Sequence, residues 1–179
     1  MTQHEYIFVT VSIIIGLSLT RLLHVIGDLI RYHDKVKFHW STAIWGATVM
    51  IFTLQLWWVG WDLHDFSDWS FIHFLVLIFA SIFMYGAAEM ALPDPDDGYF
   101  DMLSHSKGLG RVSAISLLLF FLLGPYFNIV MFDNPLLLSL MIPLIGVVLM
   151  LLVILVPRWF KCLSIIFGLY SLFVLFVTV

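Results

Sequence analysis

Arg21, His24 and Asp28 interrupt a long apolar stretch, and Glu89 stands near the end of another. On a helix turning about 100° per residue, the first three fall within an arc of roughly 60°. His24 and Asp28 are one turn apart, close enough to hydrogen-bond. Arg21 and Asp28 are two turns apart, so a link between them needs side-chain reach or water. A guanidinium, an imidazole and two carboxylates at similar depth could form a polar site facing the cytoplasm. A charge at the centre of a bilayer costs roughly 2.5–3.5 kcal/mol on insertion scales, so such groups are paired, put to use, or kept near an edge. Arg21 and Glu89 are the expected ion pair, and deleting one partner would strand the other. The competing reading is structural. Arg21 then snorkels to an edge about two to three turns away, and Asp28 is already interfacial.

Three further groups carry weaker chemistry. Ser12, Gly16 and Thr20 recur every four residues, a stripe that lets a second helix approach closely, either within the chain or along a homo-oligomer seam. His4, His64, Asp65 and His73 combine imidazole with carboxylate, with Glu5, Asp62 and Asp68 nearby. They could hold zinc or act as a pH-responsive gate, but their spacing fits no metal motif. A solvated acidic loop without metal is the expectation. Asp94, Asp96, Asp97 and Asp101 surround Gly98. A calcium loop of the EF-hand type needs Gly at the sixth position and Glu at the twelfth, which this segment lacks. It reads as a solvated turn. Gln55, Tyr126 and Asn128 add polar groups to otherwise apolar runs. Gly124-Pro125 and Pro143 free backbone carbonyls and favour kinks, which often line cavities.

Other chemistries find no residues to carry them. No lysine lies mid-span for a Schiff base. His24 and His39 share a leaflet, but His39 falls in a loop, which disfavours a bis-histidine haem. HExxH, GxSxG and P-loop patterns are absent. No cofactor is expected, and enzymatic activity is not indicated.

The elements that must position these groups are membrane helices. The chain has 179 residues, 62% of them hydrophobic and 11% charged, with a mean hydropathy of +1.05. A soluble domain of this size needs far more charge on its surface. In lipid every backbone polar group needs an internal partner, and the apolar runs are continuous rather than alternating, so helices are favoured over a barrel. Six runs approach the roughly 20 residues a span needs: 6–30, 40–61, 71–92, 112–132, 136–156 and 159–179. The short links 133–135 and 157–158 force antiparallel neighbours. The expected fold is an all-α bundle of six spans in a single transmembrane domain, 1–179. Its net charge of −4 gives no basic footprint for nucleic acid. The single Cys162 cannot form an intrachain disulfide. The first run is too long for a signal-peptide core and has no Lys or Arg before it, so no cleavable signal is expected.

Charge sets the expected orientation. Threading the six spans places all eight basic residues, Arg21, Arg31, Lys35, Lys37, Lys107, Arg111, Arg158 and Lys161, on one side. The positive-inside rule makes that side cytoplasmic and both termini external. Trp57, Trp58, Trp61 and Trp69 then mark the outer boundary and Trp40 and Trp159 the inner one, with Trp45 about one turn deeper, as indole prefers the headgroup level.

The segments IIIGLSLTRLLHVIGDL and LQLWWVGWDL resemble small uncharacterised bacterial polytopic inner-membrane proteins. Those share a Gly-x-x-x-Thr-Arg-Leu-Leu first helix and a Trp-Trp second helix. The likeness covers about the first half of the chain and implies a bacterial inner-membrane location. The lipid bilayer is then the first partner, with a second copy or a membrane subunit as the next. The leading functional expectation is an oligomeric channel or transporter-like protein, with Arg21, His24, Asp28 and Glu89 lining a cytoplasmic vestibule. The alternative is a non-catalytic scaffold, sensor or accessory subunit. A membrane-embedded enzyme has the least support.

Overall fold

The computed structural model of the chain describes residues 2–94 and 100–178. Six helices are long and apolar enough to cross a membrane. They are α1 (Gln3–Arg31), α2 (Trp40–Asp62), α3 (Phe71–Glu89), α5 (Gly110–Tyr126), α6 (Leu136–Leu155) and α7 (Phe160–Thr178), with a short α4 (Met102–Lys107) outside the spans. The chain is thus an all-α, multi-pass membrane protein. Polar side chains mark the starts. Thr2 and Glu5 form a capping box on α1, and Ser70 and His73 form one on α3, satisfying N–H groups that the first turn leaves free. Between α5 and α6 the chain reverses through Asp133, whose φ of 49° puts a non-glycine residue in the left-handed region. The turn is closed by the Asn134 N–H donating to the Asn128 carbonyl at 2.9 Å.

The spans pack in a ring, α1 to α3 to α5 to α6 to α7 to α2 and back to α1, with α2 also touching α3. The core under α2 is aromatic. Phe52 stacks on Phe167 at 5.4 Å and meets Phe121 edge-on at 5.3 Å, while Trp45 lies against Phe160 and Phe167. Between α5 and α6 close approach replaces aromatic bulk. A Cβ on Gly124 would lie 2.8 Å from Pro143, and one on Gly146 would lie 2.7 Å from Phe121. Each helix thus receives a ring from the other, a close fit that membrane helices need when lipid offers no hydrophobic drive to associate.

Several boundaries differ from the sequence reading. The third span ends at Glu89 rather than 92, where the Met90 N–H turns back to Ala88. The fourth is α-helical only to Tyr126 and continues as a π turn, Phe127–Met131. Pro125 lacks an N–H for the ladder, and widening to a π turn lets the next residues resume bonding. Trp57, Trp58, Trp61, Trp40 and Trp159 are exposed as a belt requires, but Trp45 is fully buried. Its indole N–H donates to the Ser113 hydroxyl at 3.1 Å, so Trp45 is a core residue. The segment after α3 is not simply a solvated turn. Phe100–Asp101 pairs in parallel with Val36–Lys37, and Met102 and Ser106 of α4 are buried. Asp96, Asp97 and Gly98 of the acidic run, and Val179 at the end of the sixth predicted span, lie outside the described residues.

Two cross-connections fix which ends lie together. The strand pair joins the segments following α1 and α3, and Arg111 at the start of α5 donates to the Ile154 carbonyl at the end of α6, 2.9 Å away. With alternating helix directions, the eight basic residues gather at one end, called here the basic end.

Candidate functional site

Arg21 bridges two elements. Its Nε lies 3.2 Å from Glu89 Oε1 at the end of α3, and its Nη2 donates to Asp94 Oδ2 at 3.0 Å. The expected Arg21–Glu89 contact is therefore present. Asp94 is a partner that sequence reasoning missed, because a lone Asp beside a proline in an acidic run looks like solvated loop. Helix lengths explain the meeting. α1 and α3 run parallel, their starts adjoin one groove, and Arg21 comes eighteen residues after Gln3 as Glu89 comes eighteen after Phe71. At about 1.5 Å per residue that is about 27 Å, close to one hydrocarbon thickness. Arg21 thus stands level with the end of α3, and α1 runs ten residues further, to Arg31. The Arg21 and Glu89 side chains retain 23% and 31% of their exposure, so the pair lies at the edge of the bundle rather than in its core.

His24 and Asp28 sit on that overhanging part of α1. His24 Nε2 is 3.2 Å from Asp28 Oδ2, and Arg31 Nη1 is 3.5 Å from Asp28 Oδ1. The four candidate residues therefore resolve into two groups. Arg21, Glu89 and Asp94 fasten α1 to α3. His24, Asp28 and Arg31 form a ladder along one helix, with Asp28 15% exposed and His24 64% exposed.

Around this pair the basic end is closed by further polar bonds. The Thr42 hydroxyl meets that of Ser106 at 2.6 Å, joining α2 to α4. Ser113 of α5 accepts from Trp45 and donates to the Ala87 carbonyl of α3 at 2.8 Å. Lys37 pairs with Asp101 at 3.2 Å. The Leu103 N–H and then Lys37 hold the Asp101 carboxyl below the usual carboxylate range. The His105 imidazole lies below its ordinary value because burial penalises its charged form, with a bond to the Met90 carbonyl acting in the opposite direction. Arg111 was seen in the sequence only as a charge. Its bond to Ile154 places a cation on the free carbonyls at a helix C-terminus, where the helix dipole favours it.

The remaining candidates are dispersed. α1 packs inward through Ile7, Val11, Ile15, Ser18, Leu22 and Val25. The stripe Ser12, Gly16, Thr20 lies to one side of that face. A Cβ on Gly16 would meet nothing within 4 Å, and the exposed Thr20 hydroxyl bonds back to the Gly16 carbonyl at 2.8 Å. Ser12 and Gly16 are half-buried and Thr20 is exposed, so the stripe runs along the edge of the packed face. At the other end His4 donates from Nε2 to the Gly60 carbonyl at 3.0 Å, and His64 lies 3.1 Å from its neighbour Asp65. His73 accepts the Ser70 N–H at 3.1 Å. Among the described residues no group of three or more His, Cys, Asp or Glu is placed to hold a metal ion.

No protein-family model, curated protein or solved structure matches the chain.

Proposed function

We propose that this chain is a non-catalytic scaffold or accessory subunit of the bacterial inner membrane, with its basic end in the cytoplasm and both termini outside. The observation that carries this reading is the Arg21 pairing. The guanidinium expected to line a vestibule is engaged by carboxylates on two sides and acts as a fastener between α1 and α3. The bundle is then a braced body, and its free feature is the outer side of α1. There Gly16 and Gly27 have open space around them, beside the exposed Ile13, Leu17 and Leu23. A second membrane helix, from another copy or a partner chain, fits against that side. A cysteine scan of α1 at Ser12, Gly16 and Thr20 tests this with a membrane-permeant cross-linker. The expected product is one cross-linked species of fixed mass, lost when Gly16→Leu is added. Products that do not depend on position along α1 would end the proposal.

The transporter-like reading has one observation in its favour, the exposed His24 imidazole held by Asp28, a group able to exchange protons at the basic end. Proton flux in liposomes that disappears in His24→Gln would move the assignment to that reading.

A further inference from the structure

The half of the bundle away from the basic end holds a cavity of about 150 Å³, open on one side, between α2, α5, the π turn, α6 and α7. Its wall is aromatic, with Phe52, Phe121, Phe127 and Tyr170 among the lining rings. Into it α2 contributes the Gln55 carboxamide. Both Nε2 and Oε1 of Gln55 are buried and meet no hydrogen-bond partner among the described residues. Burying an amide in this way costs about 1–3 kcal/mol unless something supplies the missing bonds. Tyr170 cannot supply them from its hydroxyl hydrogen, which it gives to the Ile142 carbonyl at 2.7 Å. Asn128 brings a second carboxamide to the wall from the π turn, a distortion found preferentially at functional sites.

Size, charge and polarity narrow the occupant. A cavity near 150 Å³ lined by large apolar side chains has room for one six-membered ring, and its open side, continuous with the neighbouring groove, leaves space for ring substituents. No Asp, Glu, Lys, Arg or His lines it, so the ring is neutral. Phenylalanine faces and edges favour a flat π system. A lipid acyl chain would leave both polar atoms of Gln55 unpaired, whereas a ring with oxygen on its rim pairs at least one of them. A route in exists. A groove of about 370 Å³ shares Val59, Asn128, Phe132 and Ile142 with the cavity and reaches Asp62 and Asn134 at the opposite end from the basic residues.

We infer that this cavity binds a neutral, lipid-soluble ring compound of the quinone or quinol class. A ring carbonyl accepts a hydrogen bond from Gln55 Nε2, or a ring hydroxyl donates one to Gln55 Oε1. This is a binding site, with no electron transfer implied, and it stands independently of the scaffold reading.

Duroquinone and durene test it as a pair, because both are tetramethylated six-membered rings and only the first has carbonyls. Binding to the full chain in lipid nanodiscs is measured by equilibrium dialysis against empty nanodiscs. The expected result is saturable binding of duroquinone about tenfold tighter than of durene, the value of one well-placed hydrogen bond. In Gln55→Leu the two ligands should bind alike, with folding confirmed by an unchanged or higher melting midpoint. Gln55→Met serves the same purpose if the Leu variant does not fold. Binding no greater than to empty discs, an unchanged preference in the Gln55 variants, or a cavity filled by ordered water alone in the presence of duroquinone would each overturn the proposal.

Discussion

The two halves of this bundle are held together by different forces. At the basic end the helices are joined by directional polar bonds. Thr42 meets Ser106, Ser113 ties α2 to α3, and Arg111 donates to the end of α6, while Arg21 donates to Asp94 and lies in an ion pair with Glu89. In the opposite half rings and glycines make the close contacts, with Phe121 against Gly146 and Pro143 against Gly124. Polar bonds are fewer there, Tyr170 to Ile142 and His4 to Gly60, and both polar atoms of the Gln55 amide meet no partner among the described residues. Polar bonds have fixed geometry, so they set register and close space. Apolar contacts fix volume alone, so a helix distorted at Pro125 can leave room beside them. A membrane protein built this way has one end that braces and one half that can receive a guest.

The largest expected effect comes from filling the apolar half. Gly146→Leu puts a branched side chain where Phe121 already sits, and overpacking of this kind costs about 3 kcal/mol at the upper end of its usual range. The loss of stability, measured by steric trapping in bicelles, should come with loss of duroquinone binding, because Phe121 also lines the cavity. A variant of wild-type stability would mean that the α5–α6 contact is looser than its geometry indicates.

Next in size is the Arg21 fastening, where the order of effects is the informative part. Arg21→Ala leaves Glu89 and Asp94 with like charges near each other and no cation between them, for a loss of about 2 kcal/mol. That value lies between the ranges for buried and surface pairs, as the partial exposure requires. Glu89→Ala leaves Arg21 its bond to Asp94 and should cost about 1 kcal/mol, between an exposed pair and a buried one. The double variant should be milder than the sum of the singles, because no charge then waits for the deleted partner. Strict additivity in the same trapping assay would mean that the two side chains do not interact.

Smaller again is Ser113→Ala, which removes the acceptor for the buried Trp45 indole and the donor to Ala87. Interhelical hydrogen bonds in membranes average about 0.6 kcal/mol, and this hydroxyl makes two bonds, so about 1 kcal/mol is expected. Trp45 fluorescence should redden as its N–H seeks another partner. The corresponding deletion in the opposite half, Gln55→Leu, should have the opposite sign and stabilise the ligand-free chain, because it removes an unpaired amide.

How much of this was legible in the sequence depends on the kind of contact. Long apolar runs have one physical solution in lipid, so all six helices could be placed to within a few residues of their ends. The Arg21–Glu89 pair was legible too, since two opposite charges on apolar helices have few other partners. Asp94 was not, because a carboxylate in a run of four gives no sign that one of them folds back on a guanidinium. The small-residue stripe showed that a helix can approach but not which one, and α1 turned its branched side chains inward instead. Gln55 was visible as a polar residue in an apolar run. That it lacks a partner depends on which side chains α5, α6 and α7 bring to its level, which spacing along α2 does not carry.

The smallest expected effect separates the two halves by pH. His105 lies in α4 beside the end of α3, with Nε2 3.4 Å from the Met90 carbonyl, and burial favours its neutral form. Its folded-state pKa is therefore below the ordinary value near 6.5. Over the range between the two values the unfolded segment binds more protons than the docked one. The contribution is complete above about pH 6.5 and is lost as pH falls below it. Asp101 adds nothing in this window, because its lowered carboxyl stays ionised throughout. The cavity wall of amides, phenylalanines and one tyrosine carries no group that titrates there either. Hydrogen exchange at 102–107 should thus accelerate between pH 7.5 and pH 5.5 while protection around 52–56 stays constant, and His105→Gln should flatten the response. Equal acceleration at both places would mean that the braced end and the receiving half open as one unit.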